Sequence, residues 1–149
     1  MNQQARSVLA WAIENLEAGL LDNPMSLVNR ADTLTQEESA ALNILAEGHN
    51  EVFRRVSRAI YGNNILNPPL TNKGWKIWTN LPVTSSEKKA LLSAISRYRD
   101  CVVSSTSGVA ELESQGNFDY DGFKQALSAF AQIQMCITQF TAELKAVIG

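Results

Sequence analysis

Apolar residues recur along this chain with a seven-residue repeat in four segments, the spacing that lays side chains along one stripe of an α-helix. In the first, about 4–21, Leu9, Ile13, Leu16 and Leu20 step by 4, 3 and 4. Asp22, Asn23 and Pro24 follow, and proline disfavours helical geometry in the residue before it, so the helix is expected to end there. The second, 36–61, opens on a capping box of Thr35 and Glu38. Its seam reads Leu42, Leu45, His49, Val52, Val56 and Ala59, and Gly62, Asn63 and Asn64 stop it.

A second capping box, Thr84 and Glu87, opens the third helix, 85–114, with a seam of Leu91, Ile95, Tyr98, Val102, Ser105, Val109 and Leu112. Ser104 to Gly108 are modest or poor helix formers, which predicts a break or kink at that point. The fourth, 121–148, carries the strongest pattern. Phe123, Leu127, Phe130, Ile133, Ile137, Phe140, Leu144 and Val147 hold a mean step close to that of a coiled-coil seam.

These elements predict an all-α fold, a four-helix bundle forming one domain over residues 1–149. The short turn at Gln115, Gly116 and Asn117 makes the third and fourth helices an antiparallel hairpin. At about 1.5 Å per residue that hairpin spans roughly 45 Å, and the first helix only about 27 Å. The uncovered overhang calls for a shield: the 63–83 connection, a second copy of the chain, or a partner. That connection is unusually long for a helical bundle. It holds Ile65, Leu66, Leu70, Trp75, Ile77, Trp78 and Leu81, with three prolines, and reads as an ordered apolar strap.

Charge changes the picture locally. The whole chain carries a net −2, but Val52–Ser86 contains Arg54, Arg55, Arg58, Lys73 and Lys76 and no acid. Residues 1–51 are net −6 and residues 87–149 net −1. Such polarity usually faces a partner. Trp75 and Trp78 fold back as a lid over the hairpin, or anchor a partner protein, or stack on unpaired bases. The three arginines also complement the negative end of their own helix dipole.

The remaining chemistry is sparse. His49 is the sole histidine and lies on an apolar seam, where it is expected to fix register or find an internal hydrogen bond. Cys101 and Cys136 fit no metal or redox spacing. Pairing the hairpin about Asn117 sets Cys101 level with Ile133, so the thiols are near neighbours; they are expected buried and reduced. Zinc held by both thiols and His49 would lack a fourth ligand. No di-iron, phosphate-loop, zincin or nucleophile-elbow motif is present. Nothing resembles a signal peptide or a span of about 20 apolar residues.

A non-enzymatic helical protein is therefore expected, cytoplasmic in its own or a host cell, without cofactor or metal. It binds and regulates or escorts another protein, one with an acidic surface, through Arg54, Arg55, Arg58, Lys73, Trp75, Lys76 and Trp78. Two alternatives stand beside this: nucleic-acid binding by the same residues, or a homo-oligomeric assembly subunit joined through the long hairpin, whose polar faces are rich in Ser and Gln and poor in charge. No membrane role is expected.

Overall fold

The structure is a computed structural model that describes residues 1–61, 82–114 and 120–149, with side chains at all of these but 108–114 and 120–122. The described residues are all-helical, in five helices: α1 (Gln3–Ala18), α2 (Ser26–Asn29), α3 (Gln36–Tyr61), α4 (Ser85–Ser114) and α5 (Tyr120–Ile148). The long elements follow the sequence closely. At both predicted capping boxes the hydroxyl and carboxylate exchange hydrogen bonds with backbone N–H groups. Thr35 Oγ1 accepts from Glu38 N at 3.1 Å and Glu38 Oε1 from Thr35 N at 3.3 Å; the Thr84–Glu87 distances are 3.2 and 2.9 Å.

Two elements depart from expectation. α1 stops at Ala18 rather than near 21, because Gly19 takes the C-cap and its N–H turns back to Glu17 and Leu16 carbonyls before Pro24 acts. α4 runs unbroken through Ser104–Gly108. There Ser105 Oγ and Thr106 Oγ1 donate to the carbonyls of Cys101 and Val102 at 2.8 and 2.9 Å, so the hydroxyls bond into the helix they were expected to disrupt.

The main core gathers the predicted seam of α1 with parts of those of α3, α4 and α5, and adds Ile60, which lay outside the predicted α3 seam. Leu9, Leu16, Ile60, Leu91, Ile95, Ile137, Phe140 and Leu144 are all sealed from solvent. Each such side chain contributes about 1.5–3 kcal/mol relative to an exposed position. Phe53, Tyr98 and Phe140 form an aromatic trio within it, with ring centroids 4.3 to 5.5 Å apart. Burial pushes the Tyr98 hydroxyl up to a pKa of about 12, so it stays neutral.

A second, smaller core answers part of the question of the overhang. Past the end of α1, the chain turns through α2 and lays Leu27 and Ala31 against Leu127 and Phe130 of α5, with Leu42 and Leu45 of α3 alongside. The linker between the first two long helices thus covers hairpin surface that α1 is too short to reach. The predicted strap at 63–83 lies outside the described residues except at its end, where Val83 packs against the main core.

The junction between the two cores is a buried polar node. Gln134 of α5 is 2 % exposed; its Oε1 accepts from Leu21 N at 2.7 Å and its Nε2 donates to Gly19 O at 3.2 Å, which satisfies backbone groups freed where α1 ends. His49 of α3 packs onto the same turn: a Cβ built on Gly19 would sit 2.2 Å from its Nε2.

One expectation is overturned. Cys101 and Cys136 are not reduced thiols but a disulfide joining α4 to α5, with Cα atoms 6.0 Å apart. The hairpin is staggered so that Cys101 opposes Cys136 itself, about three residues from the level that symmetric pairing about Asn117 gives, and this brings the sulfurs within bonding reach. Among the described residues no helix is long and apolar enough to cross a membrane.

Candidate functional site

The described part of the predicted contact surface is the C-terminal third of α3. Its amphipathic spacing buries Val56, Ala59 and Ile60 and turns Arg54 outward, with Arg55 and Arg58 half-buried at the edge. The arginines are not three free cations. Arg55 Nε donates to Glu51 Oε1 at 3.0 Å, and Arg54 Nη2 lies 3.5 Å from Glu51 Oε2, so one carboxylate serves two guanidinium groups. Glu51 stands one residue before the acid-free window and sits three and four positions from its partners, the helical spacing that makes ion pairs. Exposed pairs of this kind contribute about 0.3–0.5 kcal/mol each, so the carboxylate offsets charge more than it stabilises the fold.

Arg55 also leans over α1, its guanidinium 6.0 Å from the Trp11 ring centroid. Arg58 has no ion-pair partner among the described residues. One turn further, at the end of α3, Tyr61 is exposed and receives Arg99 from α4. That guanidinium lies 5.6 Å from the Tyr61 ring centroid and donates to its hydroxyl at 3.4 Å. The fold therefore adds a cation that the linear charge pattern left in a different segment. Lys73, Trp75, Lys76 and Trp78 lie outside the described residues.

His49 has no hydrogen-bond partner among the described residues at either Nδ1 or Nε2 and is 3 % exposed. The expected structural role fits this burial; the expected internal hydrogen bond does not form. Burial alone holds its pKa below the ordinary value, because a charged imidazolium would lose hydration there with nothing offered in return. With both cysteines bonded to each other, the zinc arrangement considered from sequence has no thiolates. Among the described residues no group of three or more His, Cys, Asp or Glu converges as a metal site.

Comparison of the chain with protein-family models, with curated proteins and with solved structures returns no match.

Proposed function

We propose that this chain is a non-catalytic helical binding protein. It docks a partner protein with an acidic surface through the end of α3 (Arg54, Arg55, Arg58) and the basic, tryptophan-bearing segment that follows (Lys73, Trp75, Lys76, Trp78). In this reading α1, α3, α4 and α5 are the members of a four-helix bundle whose second and third members are joined by that segment. The observation that carries it lies at the end of α3: among the described residues Glu51 is the carboxylate that pairs with Arg54 and Arg55, and Arg58 is in no ion pair. A net positive helix end leading directly into two more lysines and two tryptophans suits an acidic protein surface, since Trp and Arg dominate interface hot spots. A non-catalytic role is supported by the solitary histidine, shut inside the protein with no carboxylate or hydroxyl of the described residues on either nitrogen.

The test is affinity capture from source-cell lysate with and without nuclease, repeated with an Arg54→Glu/Arg58→Glu variant. A stoichiometric protein that survives nuclease and is lost with the variant supports the reading. Recovery that collapses with nuclease assigns the same residues to nucleic acid, whose binding would also fall steeply with salt. If Trp75→Ala with Trp78→Ala unfolds the protein while the folded fraction still binds, the tryptophans are a lid and the assignment fails.

A second reading has its own support. Val103 of α4 and Met135 of α5 are 67 % and 63 % exposed, unusual for large apolar residues on a charge-poor hairpin. Self-association through α4 and α5 would cover them, and a monomer in light scattering at high concentration removes this option. A cytoplasmic setting remains the expectation from sequence. The Cys101–Cys136 bond provides its check, because such bonds persist in oxidising compartments and are rare in the cytosol. Rapid alkylation of intact cells that finds both thiols free supports the cytosol; a bonded pair places the protein outside it.

A further inference from the structure

Opposite the face that α3 buries, Ile44, Glu47, Glu51, Arg54, Arg58 and Tyr61 step by 3, 4, 3, 4 and 3, which aligns them as a second seven-residue stripe. All six are exposed or half-buried. We propose that this stripe docks a second copy of the chain, whose own α3 lies antiparallel on it about a twofold axis. This rests on the reading that the end of α3 takes an acidic protein surface, and it names that surface: the first half of the same stripe.

The order of residue types decides the pairing. The stripe runs apolar, acid, acid, base, base, aromatic, so its second half complements its first when reversed. In the antiparallel pair Glu51 faces Arg54 of the second copy, Glu47 faces Arg58 and Ile44 faces Tyr61, and the twofold axis repeats each contact. Beside the axis, the Glu51–Arg54 pair of one copy, 3.5 Å apart, meets that of the other head to tail as four charges of alternating sign. Glu47 and Arg58 are in no ion pair among the described residues, and each gains an opposite charge. Ile44 is 69 % exposed and Tyr61 44 %, so each is a large apolar group that its own chain leaves in water and the other copy covers.

Other alignments bring like charges together. A parallel pair sets Glu47, Glu51, Arg54 and Arg58 against their own counterparts. Sliding the antiparallel pair by one heptad sets Glu47 on Glu51 in one direction and Arg54 on Arg58 in the other. Gly48, at the edge of the stripe between Ile44 and Glu51, points the same way. Glycine weakens a helix interior, its φ here is not positive, and among the described residues nothing beyond its own helix lies within 4 Å of where a Cβ would sit. Packing within the chain does not ask for glycine there, whereas a second helix approaching α3 gains room from it. The stripe is about 26 Å long, so the interface is of the small, reversible class and is held largely by charge.

The experiment is sedimentation velocity of the full-length, disulfide-bonded protein across a range of concentrations at low and high salt. A monomer–dimer equilibrium is expected, weakened at least tenfold by high salt. Glu47→Arg/Glu51→Arg and Arg54→Glu/Arg58→Glu each leave one sign of charge along the stripe, so each alone should be monomeric and their equimolar mixture should form a heterodimer. Because like charges crowded on one helix can unfold it, far-UV circular dichroism accompanies both, and Ile44→Ala is the second arm. At its exposed position it should leave the fold unchanged and weaken the dimer at least threefold. A monomer at every concentration, a dimer that persists in both charge variants, or one lost instead with Val103→Glu/Met135→Glu overturns the proposal. Failure of the partner reading is distinct: there Arg54→Glu/Arg58→Glu changes neither self-association nor capture. A monomeric chain that captures a different protein through these arginines keeps that reading and refutes self-docking.

Discussion

Replacing Gly19 with alanine tests the polar node most directly, because its effect should change sign with one other residue. Gly19 sits at φ −94° and ψ 3°, a conformation open to alanine, so the backbone itself does not demand glycine. The demand comes from space: an added Cβ would lie 2.2 Å from Nε2, 3.0 Å from Cδ2 and 3.1 Å from Cε1 of His49. An exposed ring tip would swing aside at little cost. This ring is 3 % exposed and must move through packed neighbours. Overpacking of this kind costs about 1–3 kcal/mol, and the lower chain entropy of alanine in the unfolded state returns about 0.4–1 kcal/mol.

Gly19→Ala alone is therefore expected to destabilise by roughly 1–2 kcal/mol, lowering Tm by about 2–8 °C for a chain of this size. In a His49→Ala background the obstruction is gone and only the entropic gain remains, so the same substitution should stabilise by about 0.4–1 kcal/mol. The resulting coupling of roughly 1.4–3 kcal/mol is well beyond the additivity expected of independent sites. Urea unfolding followed by far-UV circular dichroism at pH 7.5 reads all four proteins, with the slope against urea checked for constancy. Equal costs for Gly19→Ala in both backgrounds would refute the account of why glycine stands there.

Two further outcomes follow from the same residues and from the disulfide. His49 has a lowered pKa in the folded protein, so the unfolded chain binds the proton more tightly. Its contribution to stability is complete above about pH 6.5 and is lost as pH falls from there towards the folded pKa, by no more than about 1.4 kcal/mol per pH unit. The urea midpoint of the native protein should fall between pH 7.5 and 5.5 by more than that of His49→Leu, and parallel profiles would count against a buried neutral imidazole. Reduction of Cys101–Cys136 opens a loop with a sequence separation of 35, which releases about 4 kcal/mol of loop-closure entropy into the unfolded state. Unfolding with and without reductant should differ by up to that amount, and coincident curves would show that the bond constrains nothing.

What the sequence made legible was whatever rests on local spacing. The caps at Thr35 and Thr84 and the eight-residue seam of α5 need no knowledge of the rest of the fold, and the structure places α3 and α4 on the expected residues. The illegible parts depend on contacts between distant positions. Gln134 stands one residue after Ile133 of the α5 seam, and nothing nearby says that its amide will clamp Gly19 and Leu21 from 115 and 113 positions away. α2 has four residues and no periodicity to read. Propensity pointed to a break at Ser104–Gly108, but the hydroxyls of Ser105, Thr106 and Ser107 each found a carbonyl three or four residues back. Glu51 was readable in principle, since it stands three and four positions before Arg54 and Arg55; a charge window opened at residue 52 separated it from its partners.

The disulfide has a physical place in this uneven architecture. Towards its N-terminal half, α4 is gripped by apolar contacts: Leu91, Ala94, Ile95 and Tyr98 are buried against α1, α3 and α5. Beyond Tyr98 the grip weakens. Val102, Ser105 and Thr106 are only half-buried, and Cys101, Val103, Ser104 and Ser107 are exposed. There the first half of α3 packs Leu42 and Leu45 beside Leu127 and Phe130 of α5. The bond from Cys101 to Cys136 falls at this transition, with Ser105 Oγ 3.9 Å from the Cys136 sulfur. A covalent link needs no apolar surface, so it can hold the hairpin together where α4 buries little of its own. The bond therefore joins the two helices where the described part of α4 passes from buried to half-buried positions.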